Sequence, residues 1–147
     1  MTADVKIKKL NNNAVIPTYG TEFSAGADLY ACIEEPVSLA PGETVLIKTG
    51  LSMEIPAGYA GLVYARSGLA TKKGLAPANK VGVIDADYRG EIMVALHNHS
   101  NTTAIIESGE RIAQMVITPF LTANFITVDE LEETLRGTGG FGSTGTK

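Results

Sequence analysis

The sequence predicts an all-β domain, built as a sandwich, jelly roll or barrel. Three observations predict it. Sixteen glycines and six prolines cut the 147 residues into short pieces. Those pieces alternate apolar with polar residues, or run apolar and β-branched, as strands do. Helical periodicity is scarce, and many short, regularly spaced strands are the signature of closed or two-layered β architectures.

Taken in order, Val5 and Ile7 alternate with Lys6 and Lys8 in a half-buried strand. The turn Ala40-Pro41-Gly42-Glu43 leads into a strand at 45–49, and 51–55 alternates until Pro56 stops it. Residues 61–65, 92–96 and 112–117 read as core strands. Residues 67–73 predict about two turns of helix closed by Gly74, and 129–135 predict a second short helix capped by Asp129. From Arg136 the chain becomes Arg-Gly-Thr-Gly-Gly-Phe-Gly-Ser-Thr-Gly-Thr-Lys. The expected organisation is one β domain over 1–135 and a flexible glycine-rich tail over 136–147.

A chain of this length buries a core of its own. Charged residues are only 19%, which suggests that part of the surface is covered by copies of the same chain. The net charge of −4 argues against nonspecific nucleic-acid binding. Cys32 is the one cysteine, so no internal disulfide forms, and a reducing, cytoplasmic or otherwise intracellular home is expected. The first residues carry no apolar signal segment, and no run approaches the ~18 apolar residues of a membrane span.

Five segments carry chemistry. In Val81-Gly82-Val83-Ile84-Asp85-Ala86-Asp87-Tyr88-Arg89-Gly90-Glu91-Ile92, read as a β-hairpin, Asp85 follows an apolar run and is expected at the mouth of a pocket, where a carboxylate can take a proton from water. Gly82 offers bare backbone groups to a flat polar ligand. The competing reading is a plain hairpin with a turn acid. In the tail, Phe141 is a lone aromatic among glycines, followed by Ser143-Thr144; backbone amides, hydroxyls and Arg136 are phosphate donors, and a ring can stack on a base. Plain disorder competes with that. Tyr64-Ala65-Arg66-Ser67-Gly68-Leu69-Ala70 sets an Arg beside a helix N-terminus, an anion site or an ordinary Ser cap. Ser24-Ala25-Gly26-Ala27-Asp28-Leu29-Tyr30-Ala31 has small residues that permit tight packing before an acid that could orient waters on a metal; a bulged strand competes. In Ser108-Gly109-Glu110-Arg111-Ile112-Ala113-Gln114, Gln114 is polar in an apolar strand and needs a partner, whether a core group or a ligand.

Together these segments resemble the five motifs of the trimeric dUTPases, in that family's order and spacing. They cover about a third of the chain and run from residue 24 to 145. The resemblance implies a jelly-roll-like β fold and a homotrimer whose active sites lie at subunit contacts. There the third motif of one chain meets the first, second and fourth of another, and the tail of the remaining chain closes over both. It implies hydrolysis of dUTP to dUMP and pyrophosphate with Mg2+. Asp85 matches the base that activates water against the α-phosphorus. Gly82 and the backbone beside Ile84 match the strip that pairs with uracil, and Asn79 an amide on the uracil edge. Tyr88 matches the ring that leaves no room for a 2′-hydroxyl. Arg66, Ser67, Gly68 and Gln114 match phosphate contacts, and Asp28 the acid that holds Mg2+ through water. Arg136, Gly142, Ser143 and Thr144 resemble γ-phosphate donors, and Phe141 the ring over uracil. Lys80 stands where an apolar residue is common.

Rival readings are a dCTP deaminase of the same fold, whose shuttling glutamate would fall at Ala95, and a non-catalytic binding module. His97 and His99, at i and i+2 on a strand, share a face and could ligate Zn2+, but no third ligand is evident; a polar pair at a strand end near an interface competes.

Overall fold

In the computed structural model, residues 2–141 are described. Their elements in chain order are β1 (Lys6–Lys9), β2 (Thr18–Tyr19), β3 (Ala27–Tyr30), β4 (Val37–Leu39), β5 (Thr44–Lys48), β6 (Leu51–Glu54), β7 (Tyr59–Tyr64), α1 (Ser67–Lys73), β8 (Leu75–Pro77), β9 (Gly82–Ile84), β10 (Met93–Asn98), β11 (Ala104–Ile106) and β12 (Arg111–Pro119). All strand pairings are antiparallel. The largest sheet has the order β2-β3-β12-β7-β9, a second β5-β10-β8, and the pairs β1-β6 and β11-β4 complete an all-β jelly roll.

The sheets close over one core. Leu29, Leu39, Ile47, Leu51, Leu75, Ile92, Leu96, Ile106 and Ile112 are fully buried in it. Each comes from a short strand or its edge, so the alternation read from the sequence is the alternation of inward and outward side chains. Helix α1 ends as expected: Gly74 takes the left-handed conformation (φ 66°) and its N–H bonds back to Ala70 and Leu69 carbonyls.

Two expectations fail. Residues 129–135 form no helix. Seven residues with no packed face do not offset the cost of nucleating a helix, and Leu131 and Leu135 stand exposed. The segment around Asp85 is also no hairpin. Strand β9 pairs with β7, with Gly61 opposite Ile84 and Val63 opposite Gly82, and among the described residues its other edge carries no strand. Among the described residues no helix is long and apolar enough to cross a membrane.

Candidate functional site

Asp28, Gln114 and Tyr64 lie side by side on adjacent strands of the large sheet, because Gln114 is the register partner of both Asp28 on β3 and Tyr64 on β7. Two residues beyond Tyr64, Arg66 turns back onto this row. Its Nε donates to Asp28 Oδ1 at 2.6 Å and its Nη2 reaches Oδ2 at 3.5 Å. Arg111 Nη1 adds a longer contact to Oδ2 at 3.4 Å. Asp28 is buried, so the two guanidiniums supply the counter-charge that a desolvated carboxylate requires. Gln114 Nε2 donates to the Ala65 carbonyl at 2.9 Å, which ties the start of α1 to β12.

Arg66 itself is the cap residue of α1, and no side chain caps the helix. Ser67 is therefore the first helical residue and not a cap, and the exposed Ser67 and Gly68 present their backbone at an open helix end. Lys73, in the last turn, bonds Glu110 at 2.9 Å and the Ile105 carbonyl at 3.0 Å, which anchors the helix to β11 and to the loop before β12.

A second group lies elsewhere. Asn79, Gly82, Val83 and Ile84 line a cleft of about 100 Å³ with Pro77, Met93 and Ala95. A Cβ on Gly82 would come within 3.3 Å of Asn79 Nδ2, so the Asn79 amide and the bare Gly82 backbone share one wall. Asp85 follows β9 and opens a turn closed by the Tyr88 N–H to the Asp85 carbonyl at 3.1 Å. It is exposed, with Val81 and Val83 also exposed, so the described residues form no pocket mouth around the acid. The Tyr88 hydroxyl donates to the Glu91 carbonyl at 3.0 Å. Glu91 Oε1 in turn accepts from the Gly50 N–H at 2.9 Å, and Ser52 Oγ donates to the Arg89 carbonyl at 2.7 Å, so the loop is strapped to β6.

Gly82 pairs with Val63, three residues before Arg66, whereas Ile84 pairs with Gly61, so β9 carries Asp85 away from the Arg66 row. Strands β3 and β9 are separated by β12 and β7. Three inter-strand steps, and the offset of three residues from Gly61 to Tyr64, put Asp28 and Ile84 roughly 17 Å apart. Asp85 lies one residue further out.

In the tail, Arg136 Nε donates to the Gly139 carbonyl at 2.9 Å, and Phe141 is fully exposed with φ 49°. Gly142, Ser143 and Thr144 lie outside the described residues. The larger hollow, about 610 Å³, holds none of the predicted site residues; Val5, Ile7, Pro17, Met53, Met115 and Ile117 give it an apolar wall. Sequence reasoning quoted Arg111 within its segment and gave it no role, because nothing local signals a partner 83 residues away.

The dUTPase family model matches residues 12–145. The deoxyuridine 5'-triphosphate nucleotidohydrolase of Hahella chejuensis is 50% identical over 141 residues, covering 95% of this chain and 93% of that protein. The one from Maricaulis maris is 50% identical with 99% of both covered. Among solved structures, the Staphylococcus bacteriophage 80alpha dUTPase with dUPNHPP superposes with a TM-score of 0.89 at 33% identity, over 99% of this chain and all of that one. A phage phi11 S. aureus dUTPase mutant, described for its coordination of a structural Mg(II) ion, gives 0.80 at 29%, over 88% and 99%. Matched along nearly its whole length at half-identity, the chain belongs to the dUTPase family of enzymes.

Proposed function

We propose that the chain hydrolyses dUTP to dUMP and pyrophosphate at sites shared between the copies of a homotrimer, with Asp85 activating the water that attacks the α-phosphorus. The observation that carries this reading is the separation of Asp85 from the Arg66 cradle. Arg66, the open end of α1 and Gln114 form a cradle suited to phosphates. The Asn79–Gly82 cleft beside Asp85 is suited to a flat base, and β9 carries Asp85 away from the Arg66 end of β7, so one chain does not set the acid against a phosphate held by Arg66. Two copies meeting at this face bring them into reach.

Exposed apolar surface supports the assembly. Phe120, Leu121, Phe125, Ile126, Val128, Leu131 and Leu135 stand out of the extended segment after β12. Surface of that kind marks an interface. In this reading residues 1–135 are the body and 136–147 close over a neighbouring site, with Arg136, Gly142, Ser143 and Thr144 donating to the γ-phosphate and Phe141 stacking on uracil.

Within the site the division of labour follows from chemistry. Uracil and cytosine differ by a carbonyl and an N–H. Fixed groups at Asn79, Gly82 and Ile84 read that difference, because a mismatch strands a buried donor or acceptor. Tyr88 walls off a 2′-hydroxyl. Arg66, Ser67, Gly68 and Gln114 hold the phosphates, and in-line attack is then a matter of positioning. No three His, Cys, Asp or Glu side chains gather to hold a metal among the described residues. The Asp28 carboxylate, although bonded to two guanidiniums, keeps lone pairs for a metal-bound water. That donor set fits an Mg2+ carried in on the triphosphate and touched by Asp28 through water, as Mg2+ prefers. Such an ion supplies charge neutralisation.

The deaminase reading lacks its acid, since the β10 residue lining the cleft is Ala95. The test is incubation with dUTP, dCTP, dTTP and UTP plus Mg2+, comparing the parent with Asp85→Asn. The expected result is dUMP and pyrophosphate from dUTP alone, with turnover in the variant reduced about 10²–10⁴-fold and nucleotide binding retained. Near-normal turnover in a folded Asp85→Asn protein would overturn the assignment, and absence of turnover in the parent would favour the binding module.

A further inference from the structure

The pair His97 and His99 is used by nothing above. The burial pattern along β10 alternates, with Val94, Leu96 and Asn98 buried and Met93, Ala95 and His97 facing out. His99 follows one step beyond the strand and is exposed. The two imidazoles therefore leave the same side of the chain, and their ring centres are 4.5 Å apart at 64°.

The backbone beneath them is held firmly. Asn98, between them, is fully buried, and its Nδ2 donates to the Leu39 and Thr102 carbonyls at 2.9 and 2.8 Å. Its Oδ1 accepts from the Ser100 N–H and hydroxyl. The His99 N–H donates to the Gly74 carbonyl at 2.8 Å. Across the strand, His97 Nδ1 lies 2.8 Å from Thr44 Oγ1, its register partner. When Nδ1–H donates to that hydroxyl, Nε2 keeps its lone pair. An outer hydroxyl or carbonyl that fixes the tautomer is what metal-binding histidines ordinarily have.

We propose that His97 Nε2 and one imidazole nitrogen of His99 form a two-point chelate for a divalent transition-metal ion of the Zn2+ class, with Thr44 as its outer support. Two imidazoles on one ion at about 2.0–2.1 Å per nitrogen hold their ring centres roughly 4.5–5.5 Å apart, the spacing seen here. Imidazole selects this class of ion, whereas Mg2+ prefers oxygen. The site is thus chemically separate from any ion carried by a triphosphate. The remaining coordination positions belong to water, which makes this an open site.

The experiment is calorimetric titration of the full chain with ZnCl2 at neutral pH in chelator-free, Mg2+-containing buffer. His97→Asn, His99→Gln and Thr44→Val are measured alongside, with hydrolysis of dUTP checking that each is folded. Expected are one ion per chain in the parent and loss of saturable binding in either histidine variant at concentrations that fill the parent. Thr44→Val should bind about tenfold more weakly or worse. Unchanged Zn2+ binding in both histidine variants, or no binding by the parent, would overturn the proposal. Displacement of Zn2+ by equimolar Mg2+ would overturn it as well.

Discussion

Gly26 lies against the side chain of Gln114 with no room for a methyl group: a Cβ at position 26 would sit 3.0 Å from Gln114 Cδ and 3.2 Å from its Cβ. The small residue before Asp28 is thus the seat of the polar residue on β12. Gly26→Ala should push Gln114 off the Ala65 carbonyl and destabilise the fold by about 1–3 kcal/mol. If Gln114 contacts phosphate, KM for dUTP rises at the same time. Chemical denaturation and steady-state kinetics on one preparation check both; an unperturbed Gly26→Ala protein would mean that the strands part freely here.

Asp28 and Arg66 are a largely desolvated pair, and Arg66 enters the phosphate cradle already held by an acid. Asp28→Asn leaves that guanidinium without its counter-charge. A loss of about 1–3 kcal/mol is expected, below the 3–5 of a fully buried pair because Arg66 keeps some contact with water. Urea unfolding at low and high salt measures it. Little salt dependence is expected for a pair screened so weakly.

The ring of Tyr88 packs over Gly90, where a Cβ would meet its Cζ at 2.5 Å. Gly90→Ala should therefore tilt the ring without removing it and narrow the ratio of kcat/KM for dUTP over UTP, as Tyr88→Ala should do more strongly. An unchanged ratio in both folded variants would remove Tyr88 from the sugar site.

Site sharing is tested by complementation. Asp85→Asn chains are refolded together with chains ending at Leu135, each inactive alone. When a site takes Asp85 from one chain and the tail from its neighbour, any mixed cyclic trimer regains one site in three. Equal mixing makes about three-quarters of trimers mixed and returns about a quarter of parental activity. No recovery in mixed trimers confirmed by native mass spectrometry would place both elements in one chain.

What was legible in the sequence was local. The strands at β5, β6, β7, β10 and β12 and the helix closed by Gly74 announce themselves through alternation and a single capping glycine. Pairing was not legible. That β9 lies against β7 and not against the strand that follows it is decided by the closure of the whole core. Nor does spacing reveal that Asp28, Arg66, Gln114 and Arg111 converge, since the first and last are 83 residues apart. The expected helix at 129–135 fails for the converse reason: its local signals were real, but no surface of its own chain is there to hold it.

The distance between Asp85 and the Arg66 cradle has a consequence for dose. Under the shared-site reading, a single folded chain is inert however stable it is, and competence appears only as copies find one another. Specific activity then depends on enzyme concentration, falling on dilution below the assembly constant while the β fold persists. A newly made chain would be silent until its partners accumulate, so the onset of activity would lag the onset of folding.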